Sequence, residues 1–157
     1  MTTTNGEGCG HFIPEFGIMM NNMLGEQDLN PYGFHNWKTK RRLPTMICPT
    51  IVLKNNKPAY ILGSGGSNRI RSAITQVLLN IVIEKLPLKE AIEKSRLHLE
   101  GNELYCEPGI KIPNHKNLKD INITKFDSKS LFFGGVNCVT PTEAIGDKRR
   151  GGTGKVF

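Results

Sequence analysis

The sequence predicts an α+β fold, and three observations carry that expectation. Short apolar runs rich in β-branched and aromatic residues come in pairs around turn residues, at 50–62, 97–106 and 131–145. One long stretch, residues 70–83, instead carries its apolar residues at helical spacing. The order is therefore strands, helices, strands, which describes antiparallel sheet with helices packed against it.

Taken in order, residues 1–16 read as a strand, a glycine-rich turn and a second short apolar stretch. Three β-prone threonines, Thr2, Thr3 and Thr4, run straight into glycines, as in a strand already under way, so an upstream segment is expected. Another short apolar run, 17–20, ends at Asn21-Asn22, and residues 25–44 are loop-like with Trp37 as the one large anchor. A long irregular stretch of this kind usually carries function. Thr50-Ile51-Val52-Leu53 and Ala59-Tyr60-Ile61-Leu62 flank an Asn-rich turn and form a hairpin signal. The second of these strands leads directly into Gly63-Ser64-Gly65-Gly66, after which Ser67 or Asn68 is placed to cap a helix. Ile70, Ile74, Val77, Leu78, Ile81 and Val82 keep helical spacing, and Leu79 and Ile83 widen the stripe until the helix is apolar almost all round, as a buried central helix would be. Pro87 closes it, and residues 88–97 form a shorter amphipathic helix. Two further hairpins are expected, at 97–106 and 131–145, with 110–129 ambiguous between them.

Bulk properties narrow the function classes. The chain has 157 residues, 38% hydrophobic and 22% charged, which suits a single domain or one large part of a domain spanning 1–157. No apolar run is long enough to span a membrane, and the N-terminus has neither the basic nor the apolar region of a signal peptide, so a cytoplasmic setting is expected. The net charge of +7 invites a nucleic-acid reading. However, the basic clusters at 38–42 and 148–150 do not alternate with aromatic residues, and no nucleic-acid motif accompanies them, so a solvated face or docking to an acidic partner is favoured. Cys9, Cys48, Cys106 and Cys138 form no C-x-x-C pair and read as reduced, structural thiols. His11, His35, His98 and His115 show no metal-binding spacing, so no metal and no cofactor is expected.

The chemistry concentrates in the strand–glycine–helix unit at 59–83. Glycines let backbone N–H groups converge, and a following helix start adds unpaired N–H groups and partial positive charge. Such a turn can hold a phosphate, a carboxylate or a developing oxyanion. The phosphate fingerprints fail: G-S-G-G-S-N lacks the glycine needed at the sixth position of the dinucleotide pattern. The tail Gly151-Gly152-Thr153-Gly154-Lys155 has Arg149 where a P-loop needs its first glycine and Val156 where it needs a hydroxyl. No G-x-S-x-G elbow supports a serine triad. Glu26, in a glycine-containing loop, and Thr45, in Leu43-Pro44-Thr45-Met46, are the remaining polar candidates.

In sequence order these pieces resemble the γ-glutamyltranspeptidase family of N-terminal-nucleophile hydrolases. The resemblance rests on Thr3-Thr4-Asn5-Gly6-Glu7-Gly8, Gly17-Ile18-Met19-Met20-Asn21-Asn22-Met23-Leu24, Arg42-Leu43-Pro44-Thr45-Met46 and Gly63-Ser64-Gly65-Gly66-Ser67-Asn68-Arg69-Ile70. Further on it continues through the segment ending Ser95-Arg96-Leu97-His98, then Phe133-Gly134-Gly135-Val136 and Gly146-Asp147-Lys148-Arg149-Arg150-Gly151-Gly152. The resemblance implies the αββα sandwich of that class. It also implies a threonine nucleophile exposed by self-cleavage, whose free α-amino group serves as its base. A γ-glutamyl enzyme intermediate would be formed from amides such as glutathione and passed to an amino acid, a peptide or water.

Residue by residue, the resemblance makes Thr3 the threonine that supports the nucleophile and Asn5 a residue that holds the glutamyl group. Glu26 falls where an aspartate usually meets the substrate amino group. Pro44 and Thr45 fall where two serines usually bind the α-carboxylate, and Pro44 offers neither hydroxyl nor N–H. Gly65 and Gly66 become the oxyanion donors, with Gly66 and Ser67 as the alternative register. The nucleophile itself is expected upstream of Thr3, in a large-subunit-like segment or a separate chain, and self-association into a homo-oligomer is left open. An inactive remnant that keeps the glutamyl pocket, and a related amide acylase, remain the competing readings.

Overall fold

The computed structural model describes residues 8–113 and 118–157. It divides into two compact units, Met1–Ile47 and Cys48–Phe157. No helix among the described residues is long and apolar enough to cross a membrane.

The first unit is mostly irregular. β1 (Phe12–Ile13) and β2 (Ile18–Met19) make a minimal antiparallel hairpin, and 3₁₀ turns follow at Met23–Gly25 and Gln27–Leu29. The buried side chain of Asn30 ties these turns together by donating to the carbonyls of Leu24, at 2.9 Å, and Glu26, at 2.8 Å. The loop-like reading of 25–44 thus holds apart from the second 3₁₀ turn.

The second unit carries the regular structure. β3 (Thr50–Lys54) and β4 (Lys57–Gly65) form the expected hairpin. Its turn residues, Asn55 and Asn56, have φ of 50° and 59°. That is the paired positive-φ geometry of a two-residue hairpin loop, which asparagine tolerates better than most side chains. β4 then pairs with β8 (Gly135–Val139), β8 with β9 (Glu143–Ile145), and β9 with β10 (Gly154–Val156), giving a five-stranded antiparallel sheet ordered β10-β9-β8-β4-β3. The tail that resembles a failed P-loop therefore runs from a turn into an edge strand at Gly154. A second sheet joins β5 (Leu97–Glu100), β6 (Glu103–Cys106) and β7 (Asn122–Lys125), with β7 running parallel to β6.

The helix is α1 (Arg69–Val82), and it is one-sided rather than buried all round. Ile70, Ala73, Ile74, Val77 and Ile81 are buried, while Leu79, Val82 and Ile83 face outward. Helix spacing alone cannot tell an inward stripe from apolar residues left bare on the far side. Asn80 sits within the buried stripe, where its side chain donates to the Ala91 carbonyl at 3.1 Å and so anchors α2 (Leu88–Glu93), a helix shorter than the expected 88–97. α1 packs on β4 and β8.

Register sorts the large sheet into two faces. Leu62 pairs with Cys138 and Cys138 with Ile145, a row whose first two members are almost fully buried on the side of α1. The alternate row, Ile51, Ile61 and Val139, is bare. Side chains alternate strictly between faces, so this second face is apolar yet uncovered in the described chain.

Beneath the ends of β8 and β9 lies a buried ionic centre. The Arg96 guanidinium pairs with Asp147 at 2.7 Å, and Arg149 pairs with Glu107 at 2.5 Å and with Asp147 at 3.2 Å, all four side chains being essentially sealed from water. Much of the remaining hydrogen-bonding capacity goes to the backbone, while Arg96 Nε has no partner among the described residues. Arg96 donates to the carbonyls of Ile92 and Phe133, Arg149 to those of Ile92 and Lys94, while Glu107 accepts from the Arg96 and Ser130 amides and Asp147 from the Val136 and Arg149 amides. Burial on its own would raise the Asp147 pKa, but Arg96, the Arg149 amide and the Arg149 charge outweigh it and hold the carboxyl below its ordinary value.

Breaking such a centre leaves uncompensated buried charge. Asp147→Asn should destabilise the chain by about 3–5 kcal/mol, measured by denaturant unfolding. Because the folded-state pKa is depressed, this contribution is present above the ordinary carboxylate range and is lost as pH falls through the folded value. The gap in stability between wild type and Asp147→Asn should therefore narrow below about pH 4. A gap that widened on acidification would contradict the assignment.

Candidate active site at the glycine turn

The glycine segment divides differently from the sequence expectation. Gly63, Ser64 and Gly65 are still strand, paired with Asn137, Val136 and Gly135 of β8. The chain turns only at Gly66, with φ of 130°, and Ser67, with φ of 53°. Gly66 has to be glycine for a second reason besides its φ: a Cβ there would lie 2.8 Å from the Gly134 Cα. Gly134, at φ of 77°, is equally confined, since its own Cβ would come within 3.0 Å of both the Gly65 carbonyl oxygen and Ser64 Oγ. Ser64 Oγ fastens the two segments by donating to the Gly65 carbonyl at 2.8 Å and accepting from the Gly135 amide at 3.2 Å. Two glycine pairs thus meet back to back, and the sequence shows only their compositions, not their contact.

The helix start follows at once. The amides of Arg69 and Ile70 donate to the carbonyls of Gly66, at 3.1 Å, and Ser67, at 3.0 Å. Asn68 occupies the cap position in helical conformation without a side-chain cap bond, contrary to the capping expectation, because its amide group donates to Glu100 instead. The Gly66 N–H, by contrast, donates to no acceptor among the described residues. Among the described residues it is a free donor at the turn that leads into the N-terminus of α1. That combination suits a negative charge.

Two groups set the electrostatics around it. The stem of Arg150 lies over Gly135, and its guanidinium over Gly65 and Gly66, with Nη2 3.5 Å from where a Cβ on Gly66 would sit. On the helix side, Ser72 Oγ is hydrogen-bonded to His98 Nδ1 at 2.8 Å, and His98 Nε2 lies 3.5 Å from Glu100. Burial depresses the His98 pKa, the Glu100 carboxylate offsetting this only in part, so the ring stays neutral near pH 7. Ser72, His98 and Glu100 have the composition of a hydrolytic triad. Ser72 is half-buried and Glu100 stands 3.5 Å from the ring, and the Ser72–His98 bond ties α1 to β5. No cluster of metal-binding side chains occurs among the described residues.

The family model described as gamma-glutamyltranspeptidase matches residues 1–157. The chain belongs to that family. It is 32% identical to the capsule biosynthesis protein CapD proenzyme of Bacillus anthracis over 98% of its own length, and 31% identical to the glutathione hydrolase proenzyme of Bacillus subtilis over 62%. It spans only 30% of the first relative and 17% of the second. Among solved structures, the Bacillus anthracis transpeptidase CapD superposes with a TM-score of 0.71 at 27% identity, covering 100% of this chain and 91% of that one. A γ-glutamyltranspeptidase from Pseudomonas nitroreducens superposes with a TM-score of 0.73 at 22% identity, over 96% and 87% respectively, and speaks for the fold alone. The α+β class is thus confirmed, and the likeness places the chain in the αββα fold of N-terminal-nucleophile hydrolases.

Within this γ-glutamyltranspeptidase framework, Thr3 and Asn5 lie outside the described residues. Glu26 separates the two 3₁₀ turns of the first unit in an extended conformation and is partly buried. Pro44 and Thr45 are exposed, and Thr45 Oγ1 accepts from the Ile47 amide at 3.2 Å, which leaves its hydroxyl proton available to a ligand. Gly65 and Gly66 are strand end and turn. Gly134, Ser64 and Arg150 are the residues that sequence reasoning did not assign to the site, although the Gly134-Gly135 pair was visible as part of the family resemblance.

The back-to-back contact makes a prediction that a loose loop would not. Gly134→Ala, far from Gly66 in sequence, should cost about 1–3 kcal/mol in folding free energy through its left-handed backbone and the displaced Gly65 carbonyl. Gly101→Ala, with the same sign of φ but open space around it, should cost only the backbone share. Equal unfolding midpoints for the two variants would argue against the contact.

Proposed function

We propose that this chain forms the oxyanion-holding, small-subunit-like part of a γ-glutamyl transferase or hydrolase. It would cleave γ-glutamyl amides such as glutathione through a γ-glutamyl enzyme intermediate. The single observation that carries the reading is the Gly66 N–H, unpartnered among the described residues, in a glycine turn at the start of α1. When a threonine hydroxyl attacks the amide carbon, the carbonyl oxygen gains negative charge. An N–H already oriented toward that oxygen stabilises the transition state more than the ground state, and one such donor is worth roughly 10²–10³ in kcat. The names of the relatives, a glutathione hydrolase proenzyme and a capsule biosynthesis proenzyme, support this reaction class.

The attacking threonine is assigned to a segment upstream of Thr3, as the family register implies. Glu26 would meet the substrate amino group and Thr45 its α-carboxylate. A second reading, acylation chemistry on another amide, is favoured by one specific residue: Pro44 supplies no donor to the carboxylate. A relative named acylase ACY 1 proenzyme, from Pseudomonas sp. strain SE83, is 31% identical over 62% of the chain.

The test is turnover of γ-glutamyl-4-nitroanilide, by the chain alone and by the chain combined with the polypeptide that supplies the nucleophile-bearing segment. The expected outcome is nitroaniline release in the combination and none from the chain alone. Release by the chain alone would refute the assignment of the nucleophile. Binding without turnover in both cases would support an inactive remnant, and turnover of a glutaryl anilide in preference to the glutamyl one would support the acylase reading.

A further inference from the structure

A chain of polar contacts runs between the first turn of α1 and β5. Asn68 directly follows the Gly66-Ser67 turn. Its Oδ1 accepts from Ser67 Oγ at 3.5 Å, and its Nδ2 donates to Glu100 Oε1 at 2.5 Å. The other oxygen of Glu100 stands 3.5 Å from His98 Nε2. His98 Nδ1 is hydrogen-bonded at 2.8 Å to Ser72 Oγ, one helical turn on from Asn68. The chain thus closes on the helix it started from, and the place of the glycine turn depends on where the Glu100 carboxylate sits.

The ring is the part of this chain that can change charge. His98 is buried, and its Nε2 makes no hydrogen bond among the described residues. Facing a carboxylate, that nitrogen carries the proton of the neutral ring, and Nδ1 accepts from the Ser72 hydroxyl. A second proton goes to Nδ1, obliges Ser72 to accept instead, and sets a cation against Glu100. The carboxylate is half-exposed and shared with Asn68, so it is the partner that can move. Burial opposes this protonation, Glu100 favours it, and the Arg69 and Arg71 charges on α1 oppose it. From the other sides come rings, Tyr105 of β6 stacked at 6.4 Å and Phe132 edge-on at 6.2 Å.

We propose that Asn68, Glu100 and His98 are positioning residues for the acyl-transfer step: a proton on His98 draws Glu100 toward the ring and away from Asn68, and so moves the Gly66 N–H off the oxyanion. This rests on the proposed reading of the glycine turn and adds a regulation to it, a loss of rate on acidification that no substrate group causes.

The experiment compares Asn68→Ala, Glu100→Ala and Glu100→Gln with wild type in the combined, nucleophile-containing enzyme. Rates on γ-glutamyl-4-nitroanilide are followed from about pH 5 to 8, the range of histidine switches. In parallel, NMR of labelled histidine and glycine follows the His98 ring and the Gly66 amide, and thermal midpoints are recorded. Asn68→Ala and Glu100→Ala lower kcat at neutral pH by about tenfold to a hundredfold, less than outright loss of an oxyanion donor, with KM unchanged. Glu100→Gln keeps an oxygen for Asn68 and restores kcat at neutral pH. Its His98 titrates at lower pH than in wild type, because the attracting carboxylate is gone. The ratio of kcat in Glu100→Gln to wild type cancels the titration of the nucleophile's own α-amino group, and it rises as pH falls through the wild-type His98 value. The Gly66 amide signal tracks the His98 titration in wild type and not in Asn68→Ala.

A Gly66 signal indifferent to that titration would overturn the proposal, as would a ratio that stays flat across it. A His98 ring that takes no proton before the protein unfolds in acid overturns it too. So does a loss confined to the thermal midpoint, with kcat intact in Asn68→Ala and Glu100→Ala, since the chain would then only tie α1 to β5. If Gly66 tracks His98 in wild type but not in Asn68→Ala, yet the anilide is never turned over, the acyl-transfer reading fails while the link between ring and turn survives.

Discussion

Four buried charges hold the second unit in its arrangement. Arg96, Glu107, Asp147 and Arg149 come from the start of β5, the end of β6, and the turn between β9 and β10, and their hydrogen bonds add the end of α2 and the backbone on both sides of Gly134-Gly135. A buried ionic group seldom stabilises more than apolar packing of the same volume would. What it does here is fix relative position. Arg96 holds the Phe133 carbonyl and Asp147 holds the Val136 amide, so the two glycines between them are pinned at each end. Those glycines are the surface against which Gly66 turns. The geometry of the Gly66 turn is therefore set by charges sealed in the interior of the second unit.

How much of this can be read in the sequence depends on whether the signal is local. The β3–β4 hairpin is legible because apolar runs and an Asn-Asn turn are neighbours in the chain. The α1 stripe is legible because its period is internal. The helix's one-sidedness is not, since Leu79, Val82 and Ile83 read as core residues in the sequence and are exposed in the structure. Nor is the extension of β4 through Gly65, which depends on pairing with residues some seventy positions away. The parallel strand β7 and the edge strand β10 have too little periodicity to declare themselves. The ionic centre is not legible as such, because a buried arginine and a surface arginine are the same letter; Arg96, Asp147 and Arg149 show only as parts of segments that resemble the family. In the candidate site, Gly66 was recoverable from composition and position. Its counterpart Gly134 and the neighbouring Arg150 were recoverable only as parts of a family resemblance, and their closeness to Gly66 only from the structure.

The bare row of Ile51, Ile61 and Val139 has a place in the same picture. The family's αββα fold stacks two sheets face to face, and a sheet with helices on one side and exposed branched side chains on the other is half of such a stack. Gly65, Gly135 and Arg150 stand at one end of that same face. Fold and candidate chemistry thus point to one surface of the sheet, the other being committed to α1.

The turn from Asp147 to Gly152 is closed from both sides. Asp147 accepts from the Arg149 amide, its carbonyl accepts from the Gly152 amide at 2.9 Å, and Gly146 and Gly152 touch so closely that a Cβ on Gly152 would fall 2.4 Å from the Gly146 carbonyl carbon. Two adjacent arginines leave this loop in different directions, one into the ionic centre and one onto the open sheet face. Their fates are decided by counting from the aspartate, not by any difference in the side chains. Deletion of one residue between Asp147 and Arg149 would carry the exposed guanidinium to the buried address and empty the position beside the glycines. The length of the segment therefore sets both placements at once.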